Sequence, residues 1–142
     1  MKSLHICYQA KIKSDTDGYS VNFFDLPAFS SGDTLEEALY NAQESLDCAL
    51  LGVIDEDDDI PVATKHKGDD VFDVYASPEV AVPILLRLAR KRSGKTLTDV
   101  AKSMDVSFQR YHDIEKGRNI TLKTLRKAAA SLGANVDVRF VM

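Results

Sequence analysis

Between Thr96 and Gly133, capping residues and apolar positions of helical period follow one another too closely for strands or for one long helix. Thr98 is placed to cap a short helix, Asp99 to Met104, and Asp105 and Val106 make a turn. Ser107 caps a second helix that ends near Gly117, and Leu97, Val100, Ala101, Met104, Val106, Tyr111 and Ile114 supply a small helical core. A further helix is capped by Thr121 and stopped by Gly133, with Leu122, Leu125, Ala129 and Leu132 as its buried stripe. Short helices joined by tight turns leave no room for a pocket. They suit a helix-turn-helix platform that presents one helix to a groove.

Charge divides the chain in two. Residues 1–76 carry 16 acids against 5 lysines, and residues 77–142 carry 13 lysines and arginines against 6 acids. The halves are net -11 and +7, which together make the formal -4 of the 142-residue chain. One solvated surface would mix its signs, so two domains, 1–76 and 77–142, with different partners are expected. The basic half suits a polyanion, and the acidic half suits a basic protein. The two cysteines, Cys7 and Cys48, lack metal-ligand neighbours and read as reduced structural thiols. After Lys2 comes strand-like alternation rather than an apolar run, and no stretch approaches the ~18 residues of a membrane span. A cytoplasmic chain with no signal peptide, membrane segment, metal or cofactor is expected.

In the acidic half, Ile6, Tyr8, Ala10 and Ile12 alternate with Cys7, Gln9, Lys11 and Lys13 over a strand from His5 to Lys13. Ser14–Gly18 is a turn, and Tyr19, Val21 and Phe23 continue the hairpin. Phe24 faces the other way, as a packing position against a partner or a strand end. Ala28 to Ser31 reads as a short third strand. Asp33 and Glu36 have capping-box spacing ahead of a helix over about residues 34–52 with Leu35, Ala38, Leu39, Ala42, Leu46, Ala49, Leu50 and Val53 as its stripe. That helix must cover the sheet, because a few strands alone leave one apolar face wet. The run Asp55-Glu56-Asp57-Asp58-Asp59 reads as a solvated loop, with a partner-binding patch as the alternative. Val71–Tyr75 completes a β-β-β-α-β unit.

In the basic half, Ser77-Pro78-Glu79 opens a helix whose buried face is Val80, Ile84, Leu85, Leu88 and Ala89. Pro83 either kinks this helix or marks its true start, leaving 77–82 as linker. Arg87, Arg90, Lys91, Arg92 and Lys95 form a cationic cluster that either solvates the helix end or contacts phosphate. Phe108 to Lys116 is the candidate recognition helix. Ser107, Gln109 and Arg110 lie at its exposed start, with His112 or Asp113 within reach, and Gln and Arg read adenine and guanine edges. Phe108 is core or a contact to a base methyl or sugar. Lys116, Arg118 and Asn119 follow where backbone contacts are common, and Glu115 suits an internal salt bridge. Thr98 joins the DNA-binding candidates. The tail alternates again, placing Val136, Val138, Phe140 and Met142 on one face. A lone edge strand needs a mate, so a homodimer is expected through Val136, Val138 and Phe140.

The chain resembles the HicB antitoxins of toxin–antitoxin pairs. The resemblance rests on Tyr19-Ser20-Val21-Asn22-Phe23-Phe24-Asp25-Leu26-Pro27 and on Ser31-Gly32-Asp33-Thr34-Leu35-Glu36-Glu37-Ala38. The C-terminal half is similar to the Cro/repressor type of helix-turn-helix, most typically in Ile114-Glu115-Lys116-Gly117-Arg118. The resemblance implies an α+β chain: a partial RNase H-like domain, then an all-α DNA-binding domain with a dimerising strand. It implies neutralisation of a HicA-like small basic endoribonuclease by the first domain and operator repression by the second. A homodimer that assembles further with the toxin fits the same picture. Candidate toxin contacts are Phe24, Asp25, Asp55, Glu56, Asp57 and Asp58. Two departures stand out: Asp99 occupies the usual glutamine position, and Asp105 replaces the usual turn glycine.

An active nuclease would need carboxylates converging on divalent ions. Here Asp15 and Asp17 suit the turn, Asp25 a strand end, and Asp33 and Glu36 a cap. A stand-alone regulator whose first domain senses another ligand is the rival reading.

Overall fold

The computed structural model describes residues 3–142, so Lys2, on which the leader reading began, lies outside the described residues. The elements in order are β1 (Cys7–Asp15), β2 (Gly18–Phe23), β3 (Phe29–Gly32), α1 (Leu35–Asp55), β4 (Val71–Tyr75), α2 (Pro78–Ser93), α3 (Leu97–Met104), α4 (Phe108–Glu115) and α5 (Leu122–Ser131). The architecture is α+β, with an antiparallel sheet followed by helices. Contacts divide it into Met1–Ala81 and Val82–Met142.

In the first unit the alternation read from sequence becomes a four-stranded antiparallel sheet of order β3-β2-β1-β4. Ile6, Tyr8, Ala10, Ile12, Val21, Phe23 and Val74 are buried on one side of it. Helix α1 packs on β3, β2 and β4 and buries Ala38, Ala42, Leu46, Leu50 and Ile54, one turn apart. The stripe is one position out of phase at its end: Ile54 is buried, whereas Leu35 is exposed. The cap is also shifted. Thr34, not Asp33, accepts from the Glu37 amide at 3.1 Å, because Thr34 is the last extended residue (φ -121°). Small residues set the approach of helix to sheet. A Cβ on Gly32 would fall 2.8 Å from Ala38 Cα and 2.9 Å from the Glu37 carbonyl carbon, so only glycine admits the first turn here.

Polar side chains of α1 then fix its position. Asn41 Nδ2 donates to Ser31 O at 2.8 Å and Ser45 Oγ to Phe29 O at 3.0 Å along the edge strand β3. On the other side Gln43 Nε2 donates to Tyr75 O at 3.0 Å, and Asp47 accepts from the Ser77 amide at 2.9 Å and hydroxyl at 2.5 Å.

Residues 56–70 carry the chain back along β1 so that β4 can pair antiparallel to it. Tyr8 Oη donates to Pro61 O at 2.6 Å, the His66 amide to Gln9 Oε1 at 2.6 Å, and the Ile12 amide to Asp70 O at 2.8 Å. Cys7 and Cys48 are free thiols. Burial, then the Asp73 carboxylate, pushes the Cys7 thiol up, so it is held protonated.

Helix α2 starts at Pro78, with the Val80 and Ala81 amides bonded to Ser77 O at 2.9 and 2.8 Å. Residues 78–82 are therefore helix rather than linker, and Pro83 sits inside α2. Val80, Ile84, Leu86 and Arg87 are buried, so Leu86 adds to the expected face, on which Leu85, Leu88 and Ala89 are half-buried. In the second unit, Leu86, Val100, Ala101, Tyr111, Ile114, Ala128 and Leu132 form one core. Leu122, expected inside, is 77% exposed at the first turn of α5. The tail is not a strand: residues 134–142 have no regular structure, and Val138 and Phe140 are exposed.

Candidate nucleic-acid interface

Three caps build the motif. Thr96 Oγ1 accepts from the Asp99 amide at 3.1 Å while Asp99 Oδ2 accepts from the Thr96 amide at 2.9 Å, a reciprocal pair that starts α3. The expected cap, Thr98, instead lies exposed inside the first turn, because the first intrahelical bond closes on Thr96 O. Those bonds to Thr96 hold the Asp99 carboxyl below the usual carboxylate range. Asp105 ends α3 in the left-handed conformation, φ 56° and ψ 46°, which is how the chain turns without the usual glycine. Ser107 Oγ accepts from the Arg110 amide at 3.0 Å and starts α4. Gly117 (φ 79°) and Asn119 (φ 49°) then redirect the chain to the Thr121 cap of α5.

Helix α4 buries Tyr111, Ile114 and Glu115. Gln109 and Asp113 lie on the opposite side, and Phe108 and His112 flank the buried face near the start and middle of the helix. Phe108 is 50% exposed, with its ring near that of His112 (6.1 Å, 16°), which argues against the core alternative. Gln109 Nε2 donates to Asp113 Oδ1 at 3.1 Å, and Arg118 Nη1 reaches the same oxygen at 3.3 Å. Ser107 and Arg110 stand at the start of the helix, and Lys116, Arg118 and Asn119 at its end. Thr98 is placed on α3. The sequence suggested Asp113 as a contact but not its bonds to two neighbours, although the four-residue spacing from Gln109 was a readable signal.

The cationic cluster is reassigned. Arg87 is 7% exposed. Arg90 pairs with Glu115, Nε to Oε1 at 2.6 Å and Nη2 to Oε2 at 3.2 Å, and Lys95 Nζ donates to Ser131 O at 2.6 Å. Lys91 and Arg92 alone stay exposed. Burial, followed by the Glu115 carboxylate, pushes the Tyr111 phenol well up, and its Oη is the one buried side-chain atom without a hydrogen-bond partner among the described residues.

In the acidic unit, Phe24 and Asp25 brace the long connection. Asp25 accepts from the Thr64 amide at 2.8 Å and hydroxyl at 2.7 Å, and Phe24 stacks on His66 at 3.7 Å. The Thr64 hydroxyl proton is committed to Asp25, so at 2.8 Å His66 Nε2 must donate to Thr64 Oγ1. Asp55 is the last residue of α1, Glu56 its C-cap, and Asp57 adopts φ 53°; all of Asp55–Asp59 is exposed. Among the described residues no group of His, Cys, Asp or Glu could hold a metal ion, and no helix is long and apolar enough to cross a membrane.

Comparison with known proteins covers both units. Residues 7–88 match the family described as HicB_like antitoxin of bacterial toxin-antitoxin system, and residues 86–138 match the helix-turn-helix family HTH_3. The chain is 28% identical over 138 residues to Antitoxin HicB 2 of Photorhabdus laumondii, covering 96% of this chain and 97% of the relative. It is 35% identical over 118 residues to Antitoxin HicB 1 of the same bacterium, covering 82% of this chain and 74% of the relative. An uncharacterised 14.9 kDa protein of Haemophilus phage HP1 is 40% identical over 55 residues, 38% of this chain and 41% of that protein. The sheet-and-helix unit and the capped helix-turn-helix thus each fall within a matched family, and the chain belongs to the HicB antitoxin family.

Proposed function

We propose that this chain neutralises a small basic HicA-like endoribonuclease that cleaves mRNA, and represses its own operon by binding operator DNA. The observation that carries the reading is the union, in one HicB-family chain, of a -11 sheet-and-helix half with a +7 helix-turn-helix half. Inhibition is occlusion: the acidic domain covers a cationic RNA-binding surface and does no chemistry of its own. The exposed run after α1 supports this. Acids at a helix C-terminus oppose its dipole, and the last turn of α1 carries no base to offset them. Asp55, Glu56, Asp57 and Asp58 are the proposed electrostatic contacts, and Phe24 and Asp25 act by holding His66 and Thr64 of the connection that follows.

The strand and helix order supports a partial RNase H-like first domain. Repression assigns Ser107, Phe108, Gln109, Arg110 and His112 to the groove, and Thr98, Lys116, Arg118 and Asn119 to the flanking backbone. The tail residues Val136, Val138 and Phe140 join two chains so that two α4 helices reach one duplex. A cytoplasmic setting follows from both partners.

The test is co-purification of the full chain with the product of the adjacent open reading frame, read as protection of RNA from cleavage. Protection near stoichiometric amounts supports the antitoxin reading. No complex and no protection, with DNA binding retained, leaves a regulator whose first domain senses something else.

A further inference from the structure

Two of the side chains best suited to DNA, Gln109 and Arg118, converge on one acceptor. Gln109 Nε2 lies 3.1 Å and Arg118 Nη1 3.3 Å from Asp113 Oδ1. The pair with Arg118 is solvated, with side chains 63% and 32% exposed, so it adds little to stability. Asp113 also lies in the last turn of α4, where the helix dipole disfavours an anion. The four-residue pairing with Gln109 returns only a little helix stability, so packing and helix stability account for little of a carboxylate here, on the side of α4 away from the buried Tyr111 and Ile114.

An anion on this face opposes phosphate on any sequence. Its best match among base edges is the exocyclic amino group of cytosine, because the adenine amino group stands beside the N7 acceptor, which repels a carboxylate. A carboxylate offers about four acceptor sites, and these two bonds use two of them, so a cytosine can be accepted while Gln109 stays held. We propose that Asp113 determines operator specificity, rejecting unmatched duplex by charge and accepting cytosine in the half-site. This rests on the DNA-binding reading above. Asp113 also fixes the rotamer from which Gln109 reads the neighbouring base, and it restrains Arg118 until a phosphate displaces it.

The test uses the full chain, with Asp113→Asn as the near-isosteric change and Asp113→Ala beside it. Binding is measured to fragments tiling the DNA upstream of its own coding sequence and to a random duplex of equal length, at several salt concentrations. Asp113→Asn should tighten random-duplex binding by about fivefold or more, with a salt slope steeper by about one. The preferred fragment should gain less, so the specificity ratio falls. Exchanging cytosines in that fragment should hurt the wild type and not the variant. An unchanged ratio, with the wild type still preferring a fragment, overturns the assignment of Asp113 alone. A wild type that prefers no fragment overturns the DNA-binding reading and this inference with it.

Discussion

Arg90 and Glu115 meet in a two-pronged ion pair that ties α2 to α4, at 2.6 and 3.2 Å, with side chains only 17% and 10% exposed. Arg90 also donates to Lys95 O at 3.3 Å, so one guanidinium makes three hydrogen bonds to two residues of the helical unit. Glu115→Ala would strand a desolvated cation and should destabilise this unit by about 3 kcal/mol. Replacing both by apolar residues of similar size should cost far less. Urea midpoints at constant slope measure both, and an unmoved midpoint for Glu115→Ala would show the pair to be ornamental.

The start of α3 separates two threonines. Thr96→Ala should lower stability by about 1 kcal/mol, whereas Thr98→Ala should change it by less than about 0.5 kcal/mol. The bonds from Thr96 depress the Asp99 pKa in the folded state. Asp99 therefore contributes stability above its unfolded pKa, lost as the pH falls through its lower folded value. Asp99→Asn should flatten that acid limb of the stability profile. Equal effects of the two threonines would contradict the capping geometry.

On α4, Gln109→Ala and Arg110→Ala should each weaken binding to the preferred fragment by about 1–3 kcal/mol if both reach base edges. Random-duplex binding should change far less, apart from the charge lost with Arg110. Matching losses on both duplexes would remove these residues from base reading.

Gly32→Ala should destabilise the sheet unit by about 1–3 kcal/mol, because the added carbon meets backbone at Glu37 and Ala38 rather than a mobile side chain. Chemical unfolding followed by circular dichroism measures it; a neutral result would mean that α1 can lift away from β3 at little cost.

Deleting the residues after Gly133 should halve the solution mass if Val136, Val138 and Phe140 hold two chains together. Equal masses for the full and shortened chains would place any dimer seam elsewhere.

Period was what the sequence conveyed best. Strict alternation at Ile6–Ile12 and the stripe Ala38–Ala42–Leu46–Leu50 placed the sheet face and its covering helix, and Ser107 and Thr121 marked true helix starts. Errors fell where several residues could do one job. Asp33 and Thr34, or Thr96 and Thr98, are equally good caps in composition, and only backbone geometry decides between them. Leu122 fits an apolar stripe yet stands at the outer side of a first turn. In the candidate interface, Gln109 and Arg110 were legible as DNA-reading types of residue. The internal use of Arg90 and Lys95 was not, because a cationic run looks the same whether its partner is phosphate, Glu115 or the Ser131 carbonyl.

The stitching of α1 to β3 has a further outcome. Asn41 and Ser45 already occupy the carbonyls of Ser31 and Phe29. An edge strand engaged in this way is a poor template for a foreign strand, which guards the β3 edge of the acidic domain against edge-to-edge growth. Copies of the chain that pair through backbone must do so with another segment. The tail after Gly133, with its alternating apolar side chains, is one such segment, and β4, the other edge of the sheet, is another. Growth of one sheet onto another through β3 is thereby disfavoured, which leaves that flank of the acidic domain free of backbone partners.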